Sequence, residues 1–299
     1  AAAWVGLRPG IPISAATIDA HASVPGAGVT GAGAMVLILG TSTCHMIMDA
    51  NVHLVQGISA VVEDGIVPGL AGYEAGQAGV GDIFEWFVEH GASADVRDRA
   101  ASSGVSAYEL LEREAAALRP GESGLLALDW WNGNRSILTD ASLSGVIVGM
   151  TLGTRSHETY RALIEATAFG TRIIIEAFES SGVTVRELVA CGGLAERNRL
   201  LLQIYADVTG RDFRVAGSAL TSALGAAMNG AVAAGSAGGG YEDIATAATS
   251  MGRFANEVYH PDAARHAVYN ELFKHYVTLH DYFGREPKLL RALRALKTA

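Results

Sequence analysis

A long amphipathic segment that leads into a short apolar run and two glycines indicates the fold class of this 299-residue chain. Polar side chains repeat every three or four residues from Glu158 to Glu179, and this spacing predicts a helix that begins near Ser156. Residues 187–191 form an apolar run typical of a buried strand, and glycines 192 and 193 lead into a helix at 196–208. Strands that alternate with helices in this way predict a layered α/β domain.

The remaining segments give weaker but usable patterns. Arg161 and Glu165 belong to the polar stripe of the long helix, and Gly210 stands where the cap of the next helix belongs. Residues 91–123 are more charged and predict a surface excursion with one helix over 108–118. Apolar runs predict strands at 11–18, 35–39, 46–48, 52–55, 59–62, 145–152 and 213–215, and helices at 82–89, at 221–234 and from 261 onward.

Composition excludes several classes of protein. Hydrophobic residues make up 49% of the sequence and charged residues 18%, which is too apolar for a disordered chain. The net charge of −9 argues against a nucleic-acid partner, because phosphate neutralisation needs a basic face. Two cysteines cannot build a disulfide framework, and no apolar run reaches the ~18 residues of a membrane span.

These features, with no signal-peptide pattern, predict a cytoplasmic protein without a membrane partner. The chain opens on Ala-Ala-Ala-Trp without Met, which indicates a fragment. No H-E-x-x-H or C-x-x-C pattern occurs, so we expect no metal site made by the protein alone.

Glycines 26, 28 and 31 match the G-x-G-x-x-G pattern of dinucleotide-binding turns, and Asp49 lies near the position of the usual acidic residue. That function requires a helix directly after the glycines, whereas residues 34–39 form a strand-like run. A glycine turn explains the pattern better, and a nicotinamide oxidoreductase is the weaker alternative.

Two other glycine turns carry residues suited to phosphate or ring binding. Gly40 and Thr41 end an apolar run, and such a turn either holds a phosphate or makes an ordinary hairpin. Gly192 and Gly193, with Asn198 five residues on, either admit a flat ring or phosphate to the backbone or form a tight strand-to-helix turn. We expect Gly193 to tolerate no side chain, because of either a positive φ or a close ligand.

Several segments together carry a resemblance to a known family. They are residues 18–21 (Ile-Asp-Ala-His), 40–46 (Gly-Thr-Ser-Thr-Cys-His-Met), 68–77, 129–136 (Asp-Trp-Trp-Asn-Gly-Asn-Arg-Ser), 149–170 and 191–207. In this order they resemble the C-terminal lobe of the FGGY family of carbohydrate kinases, over about residues 5–285. Segments 40–45 and 130–136 resemble in particular the branch of that family that acts on L-ribulose.

The resemblance implies an α/β fold: an actin-like, ribonuclease-H-like ATPase lobe with a mixed sheet flanked by helices. Residues 1–285 would form this lobe, with 91–123 as a surface insertion and 286–299 as a helical tail. In the family the active site lies between two lobes, and the N-terminal lobe has no counterpart in this sequence. The resemblance therefore implies that these residues alone are an incomplete kinase, and that the full-length protein is a homodimer.

Roles for single residues also follow from the resemblance. Asp19, which by itself is either a general base or a turn-capping aspartate, resembles the base that accepts the proton of the attacking sugar hydroxyl. Glu74 resembles a residue that hydrogen-bonds sugar hydroxyls. ATP, with Mg²⁺ held mainly by phosphate and water, would contact Gly40, Thr41, Gly81, Gly192, Gly193 and Asn198.

Two functional alternatives remain beside phosphorylation of L-ribulose. One is a kinase for another pentulose or a pentitol, because half of the sugar pocket would lie in the other lobe. The other is a non-catalytic actin-like module that binds nucleotide. Asp19 favours the kinases, since a pure binding module needs no carboxylate at the cleft.

Overall fold

The computed structural model describes residues 2–285 and 288–297. Its strands are β1 (Ala34–Leu39), β2 (Thr43–Asp49), β3 (Ala60–Glu63), β4 (Ala71–Gln77), β5 (Leu126–Leu128), β6 (Val146–Val148), β7 (Glu187–Cys191), β8 (Phe213–Ala216) and β9 (Phe254–Tyr259). Its helices are α1 (Asp19–Gly26), α2 (Gly81–Trp86), α3 (Ala94–Ser103), α4 (Ala107–Ala116), α5 (Ser156–Ser180), α6 (Gly193–Arg197), α7 (Arg199–Thr209), α8 (Thr221–Ala234), α9 (Ile244–Met251), α10 (Ala263–Gly284) and α11 (Leu289–Lys297).

Seven of these strands form one mixed sheet in the order β3-β4-β2-β1-β7-β8-β9. β1 and β8 pair parallel to β7, while β2, β3, β4 and β9 pair antiparallel to their neighbours. β5 and β6 make a separate two-stranded sheet. The predicted α/β lobe with a mixed sheet flanked by helices is confirmed.

Helices cover both faces of the large sheet because the side chains of each central strand alternate between two buried cores. Met35 and Leu37 of β1 point into the larger core with residues of α5, α7 and α10. Val36 points to the opposite face, where it joins Val24 of α1 and Met228 of α8 in a second core. A strand buried on both faces reads as a continuous apolar run, which explains why β1 and β7 were predictable.

The long helix α5 and the strand β7 begin and end where the sequence predicts. The polar stripe of α5 is nevertheless only partly exposed, since Arg161 and Glu165 are 4% and 3% exposed. Arg161 Nε donates to Glu165 Oε1 at 2.8 Å, and the Tyr269 hydroxyl donates to the same carboxylate oxygen at 2.8 Å. A pair at i, i+4 on the polar stripe of a helix usually lies in solvent. Here the pair is an ion pair that α10 covers.

Several predicted strands are wrong. Residues 11–18 have no regular structure, and the residues after them form α1, a helix that the apolar pattern did not predict. The run at 52–55 is not a strand, and only Val146–Val148 of the predicted strand at 145–152 is extended and paired. The predicted helix at 196–208 is divided at Asn198 into α6 and α7.

Residues 91–123 are more than a surface excursion. They fold into α3 and α4, and Val96, Leu110 and Leu111 are fully buried in the larger core. At the other end of the chain, α11 agrees with the predicted helical tail, of which residues 286, 287, 298 and 299 lie outside the described residues. Within the described residues, no helix is both long and apolar enough to span a bilayer.

Candidate active site

Three glycine-containing loops meet at one edge of the large sheet. β1 and β7 are parallel, so Leu39 and Cys191 end at the same edge, and the register Leu39–Thr43–Gln77 places the end of β4 there too. The Gly81 amide donates to the Gly40 carbonyl at 3.1 Å. The sheet therefore brings together residues that are up to about 150 positions apart, as parallel strand ends do in other ligand-binding α/β folds.

The contact between the first two loops explains one glycine. A side chain at Gly81 would place its Cβ 2.7 Å from the Gly40 carbonyl oxygen, a distance that real Cβ atoms do not adopt. The Val80 amide donates to the Thr41 carbonyl at 2.8 Å, which fixes the turn after β1 against the start of α2. Backbone hydrogen bonds thus hold Gly40 and Thr41 at this edge.

Gly192 and Gly193 differ in what they require. Gly192 has a φ of +93°, and a Cβ there would lie 2.5 Å from the Leu39 carbonyl oxygen, so the fold needs glycine at this position. Gly193 opens α6 without a positive φ, and no atom lies within 4 Å of the position of its missing Cβ. The expectation that Gly193 needs glycine for a positive φ is wrong, and only the approach of a ligand could require glycine there.

Asn198 separates α6 from α7 and has a structural role of its own. Its Oδ1 accepts from the Leu201 amide at 2.8 Å and caps α7, and the side chain is 5% exposed. The same side chain hydrogen-bonds Tyr160, whose phenol pKa is raised mainly by burial. Asn198 is therefore rigidly placed beside an aromatic ring.

A cavity of about 450 Å³ opens beside these loops. Gly81 and Asn198 line it, together with Leu194 and with aromatic and acidic residues that the sequence analysis did not single out: Phe84, Tyr108, Tyr160, Glu109 and Glu112. Burial raises the pKa of Glu112, although amides of Leu200 and Arg199 hydrogen-bond to it and lower the pKa. Apolar walls with a few polar groups are typical of a site for a flat heterocyclic ring.

One local signal could have pointed to this cavity. Tyr108 and Glu112 are four residues apart, so they share one face of α4. Nothing in the sequence pairs that face with Tyr160 or Asn198, because α4 reaches them only through its packing against α5.

Asp19 occupies the first position of α1 and is exposed. Its Oδ1 accepts from the Ala20 amide at 2.8 Å, and its other carboxylate oxygen accepts no hydrogen bond among the described residues. Asp19 thus stands at a helix N-terminus with a carboxylate oxygen available to a ligand.

Glu74, on β4, lies in a half-buried cluster of charged side chains near the start of α1. Arg135 Nη2 donates to Glu74 Oε1, and His21 Nε2 lies 3.8 Å from Glu74 Oε2. Arg135 Nε also donates to Ser59 Oγ at 3.2 Å. The structure therefore places Glu74 beside His21, which follows Asp19 by two positions on α1, and it adds His21 and Arg135 to the residues predicted from the sequence.

The loop that carries Arg135 connects this cluster with the glycine edge. Asn132 Nδ2 donates to Asp82 Oδ2 at 3.1 Å at the start of α2, and Ser136 Oγ accepts from the Gly76 amide at 3.2 Å. Residues 132–136 therefore follow β4 from the edge that carries the glycine loops to Glu74. Among residues 2–285 and 288–297 no group of three or more His, Cys, Asp or Glu side chains could hold a metal ion.

Comparison with known proteins gives a consistent assignment. The model of the FGGY family of carbohydrate kinases, C-terminal domain, matches residues 35–234. The chain is 56% identical over 295 residues to a protein named ribulokinase from Halalkalibacterium halodurans, covering 98% of this chain and 52% of that protein. It is 47% identical over 298 residues to ribulokinase from Mycolicibacterium smegmatis, covering 100% of this chain and 52% of that protein. The chain thus spans about half the length of these curated relatives.

Solved structures show the same fold. The xylulose kinase from Rhodospirillum rubrum superposes with a TM-score of 0.80 at 26% identity, over 96% of this chain and 55% of that one. The glycerol kinase from Plasmodium falciparum, solved with ADP, superposes with a TM-score of 0.69 at 16% identity, over 87% of this chain and 49% of that one. The chain belongs to the FGGY family of carbohydrate kinases, whose C-terminal domain it carries.

Proposed function

We propose that this chain supplies one wall of the active site of a kinase that phosphorylates L-ribulose to L-ribulose 5-phosphate with ATP. The carrying observation is that one domain holds both an aromatic cavity at the glycine edge and an exposed carboxylate, Asp19, near the Glu74 cluster. Relatives named ribulokinase at 47% to 56% identity support L-ribulose as the substrate. The substrate would be an open-chain sugar rich in hydroxyl groups, which suits a cluster of charged hydrogen-bonding groups.

Asp19 would act as the general base. Its free carboxylate oxygen would accept the proton of the sugar's terminal hydroxyl as that oxygen forms its bond to the γ-phosphorus of ATP. The bond between the γ-phosphorus and the β–γ bridging oxygen breaks, and ADP leaves with the electron pair. Phosphoryl transfer depends mostly on positioning and on charge stabilisation, so a base and two aligned pockets are the main requirements.

The nucleotide would lie along the glycine edge. Its base would occupy the cavity beside Tyr160 and Asn198, and the open position at Gly193 would admit its sugar or phosphates to the backbone. Gly40 and Thr41 would face the terminal phosphates, and Gly81 and Gly192 would keep the loops close enough to do so. Mg²⁺ bound with ATP would neutralise phosphate charge, held mainly by phosphate and water oxygens.

We further propose that the facing wall of the cleft comes from a lobe that these 299 residues do not contain. The coverage of about half of each curated relative supports this. We also propose, from the family resemblance alone, that the complete kinase is a homodimer, and its dependence on ATP supports a cytoplasmic location.

A kinase for another pentulose is the second candidate, and the likeness to the Rhodospirillum rubrum xylulose kinase at 26% identity favours it. The test is to measure sugar-dependent ADP release by the complete kinase with L-ribulose, D-xylulose and ribitol. We expect the highest kcat/KM for L-ribulose. A higher value for D-xylulose would support the second candidate, and no sugar-dependent release would mean a non-catalytic nucleotide-binding module.

Asp19→Asn tests the mechanism in the same assay. Asparagine keeps the shape but cannot accept the proton, so we expect kcat to fall by about 10²–10⁴ while the Kd for ATP stays unchanged. Asp262→Asn is the matched control, because Asp262 caps α10 through the Arg265 amide at 2.8 Å, away from the site. A kcat within threefold of the parent for Asp19→Asn would exclude Asp19 as the base.

A further inference from the structure

The carbonyl group of Gly65 holds the imidazole ring of His21 in one orientation. Its Nδ1 lies 3.0 Å from the Gly65 carbonyl oxygen. A carbonyl oxygen only accepts hydrogen bonds, so Nδ1 carries the hydrogen. In the neutral ring Nε2 is then a hydrogen-bond acceptor.

Nε2 of His21 faces a second hydrogen-bond acceptor, the carboxylate of Glu74. His21 Nε2 and Glu74 Oε2 are 3.8 Å apart, which is too far for a direct hydrogen bond. Arg135 occupies Oε1 of the same carboxylate and so turns Oε2 toward His21. Among the described residues neither His21 Nε2 nor Glu74 Oε2 receives a hydrogen bond, so the pair is ready to accept two.

The pair is accessible to a ligand. The side chains of His21 and Glu74 are 11% and 15% exposed, and His21, but not Glu74, lines a cavity of about 520 Å³ beneath residues 14–17. Asp19 lies two positions before His21 on α1. Asp19 and His21 thus both belong to the first turn of α1.

We propose that His21 and Glu74 together recognise a vicinal diol of the sugar, each accepting one hydroxyl hydrogen. Adjacent hydroxyl oxygens in the gauche arrangement lie closer together than the two acceptors do, so two slightly diverging hydrogen bonds, each of about 2.8 Å from hydroxyl oxygen to acceptor, span the pair. A single hydroxyl has one hydrogen and leaves one acceptor unpaired, so the pair selects a diol over an isolated hydroxyl. Arg135 is the positioning residue, because it fixes which Glu74 oxygen is free. This proposal rests on the proposed function, which makes the ligand a sugar.

Two isosteric substitutions separate sugar recognition from the contact with Gly65. Asparagine places its amide nitrogen near the position of Nδ1 and has nothing at Nε2, whereas glutamine places a polar atom near Nε2 and loses the bond to Gly65. In the complete kinase we expect His21→Asn to raise the KM for L-ribulose about 10- to 100-fold. We expect His21→Gln to stay within about threefold of the parent, and the KM for ATP to be unchanged in both.

His53→Asn is the matched control. His53 Nε2 lies 3.7 Å from Asp49 Oδ1, a pair with nearly the same spacing, and it is absent from the linings of both cavities described above. We expect this variant to keep the parent KM for L-ribulose. If His21→Gln lost sugar binding while His21→Asn kept it, His21 would only anchor Gly65. Equal losses of sugar binding in the two variants would show that the ring acts by charge or shape. Both results overturn the proposal.

Deoxy analogues give a second, independent measurement. L-Ribulose analogues that lack the 3- or the 4-hydroxyl should bind the parent kinase more weakly than L-ribulose does. For the analogue that lacks the hydroxyl bound by His21, the His21→Asn substitution should cause no further loss of affinity. If, for both analogues, the loss of affinity from the missing hydroxyl multiplied the loss from His21→Asn, the proposed diol contact would be overturned. If the parent kinase shows no turnover with L-ribulose, the proposed function fails. Calorimetric binding of ribitol to the same variants then tests the diol contact by itself. If neither L-ribulose nor ribitol binds, the diol proposal is overturned as well.

Discussion

Gly192 and Gly193 are neighbours in sequence, but the structure predicts effects of very different size on stability for the same substitution. Gly192→Ala must adopt a φ of +93° and place a methyl group 2.5 Å from the Leu39 carbonyl, so we expect it to lower the free energy of unfolding by about 2 kcal/mol or more. Gly193→Ala meets no atom within 4 Å, so we expect a change within about 0.5 kcal/mol. Urea denaturation of both variants measures the difference.

ATP affinity then distinguishes a turn from a binding loop at Gly193. If the nucleotide approaches the backbone there, Gly193→Ala should weaken ATP binding severalfold although the protein is as stable as the parent. A Gly193→Ala protein with unchanged ATP affinity would remove Gly193 from the nucleotide site. Gly192→Ala cannot make this distinction, because its strain would disturb both loops.

At the scale of elements, the packing of α1 on α8 controls where Asp19 stands. A Cβ at Gly225 of α8 would lie 1.8 Å from the Ala22 carbonyl oxygen of α1, and one at Gly26 would lie 2.0 Å from the Thr221 carbonyl oxygen. The two helices are therefore in backbone contact, and a larger residue at either glycine must separate them.

Gly225→Ala should consequently lower kcat by moving α1, and should destabilise the protein by about 1–3 kcal/mol through overpacking. Gly230→Ala on the same helix is the control, because no atom lies within 4 Å of its added methyl group. Alanine also favours helix, so the control should be at least as stable as the parent. Equal kcat values in the two variants would contradict a positioning role for this contact.

A buried hydrogen-bonded chain joins β4, α5 and α10 to Asp129, the residue after β5. Gln77 of β4 donates to Asp129 Oδ2 at 2.7 Å, Thr171 of α5 donates to Gln77 Oε1 at 3.0 Å, and the Tyr276 hydroxyl of α10 donates to Asp129 Oδ1 at 3.2 Å. Burial raises the pKa of Asp129 from 3.8 to about 6, against the effect of these hydrogen bonds. The folded protein therefore keeps this proton to a higher pH than the unfolded chain does.

The raised pKa of Asp129 makes the free energy of unfolding depend on pH in one direction. The contribution of Asp129 to the free energy of unfolding is largest below about pH 4 and is lost as the pH rises through about 6. Relative to the parent, Asp129→Asn should therefore gain up to about 3 kcal/mol between pH 4 and 7, measured by chemical denaturation. Asp262→Asn should show the opposite trend, because the Arg265 amide lowers the pKa of Asp262. A stability difference for Asp129→Asn that does not change with pH would contradict the assignment.

At the scale of the whole molecule, the proposed function makes these 299 residues one side of a cleft. We expect the chain by itself to show no sugar-dependent ADP release near the ~1–100 s⁻¹ typical of kinases, because in-line transfer requires both reactants to be held and water to be excluded. We expect weak ATP binding to persist through the aromatic cavity. Exposed apolar side chains such as Trp4, Ile13 and Leu220 should also make the isolated chain prone to association. A coupled assay with Mg-ATP and L-ribulose, together with light scattering, checks both expectations, and kinase-like turnover would show that this domain suffices.

Local spacing by itself determined a large part of the architecture. The 3.6-residue period of α5, the apolar run of β7 and the cap at Gly210 all depend on residues within one or two turns of each other, and each is confirmed. The α/β class follows from the order of such segments, and the glycine loops follow from their positions at strand ends. Recognition of family motifs then supplied Asp19 and Glu74, for which spacing alone offers no role.

Tertiary structure decided what local spacing could not. Residues 19–26 contain Pro25 and lack a helical apolar period, but they form α1 because Ala22 and Gly26 pack closely against α8. Arg161 and Glu165 have the spacing of a surface pair and are buried because α10 covers them. The aromatic cavity at the glycine edge and the cluster of His21, Glu74 and Arg135 combine residues tens of positions apart, and their meeting depends on how helices and strands pack. The physical reason is that spacing encodes which side chains share a face, whereas the partner of that face is chosen by the packing of the whole domain.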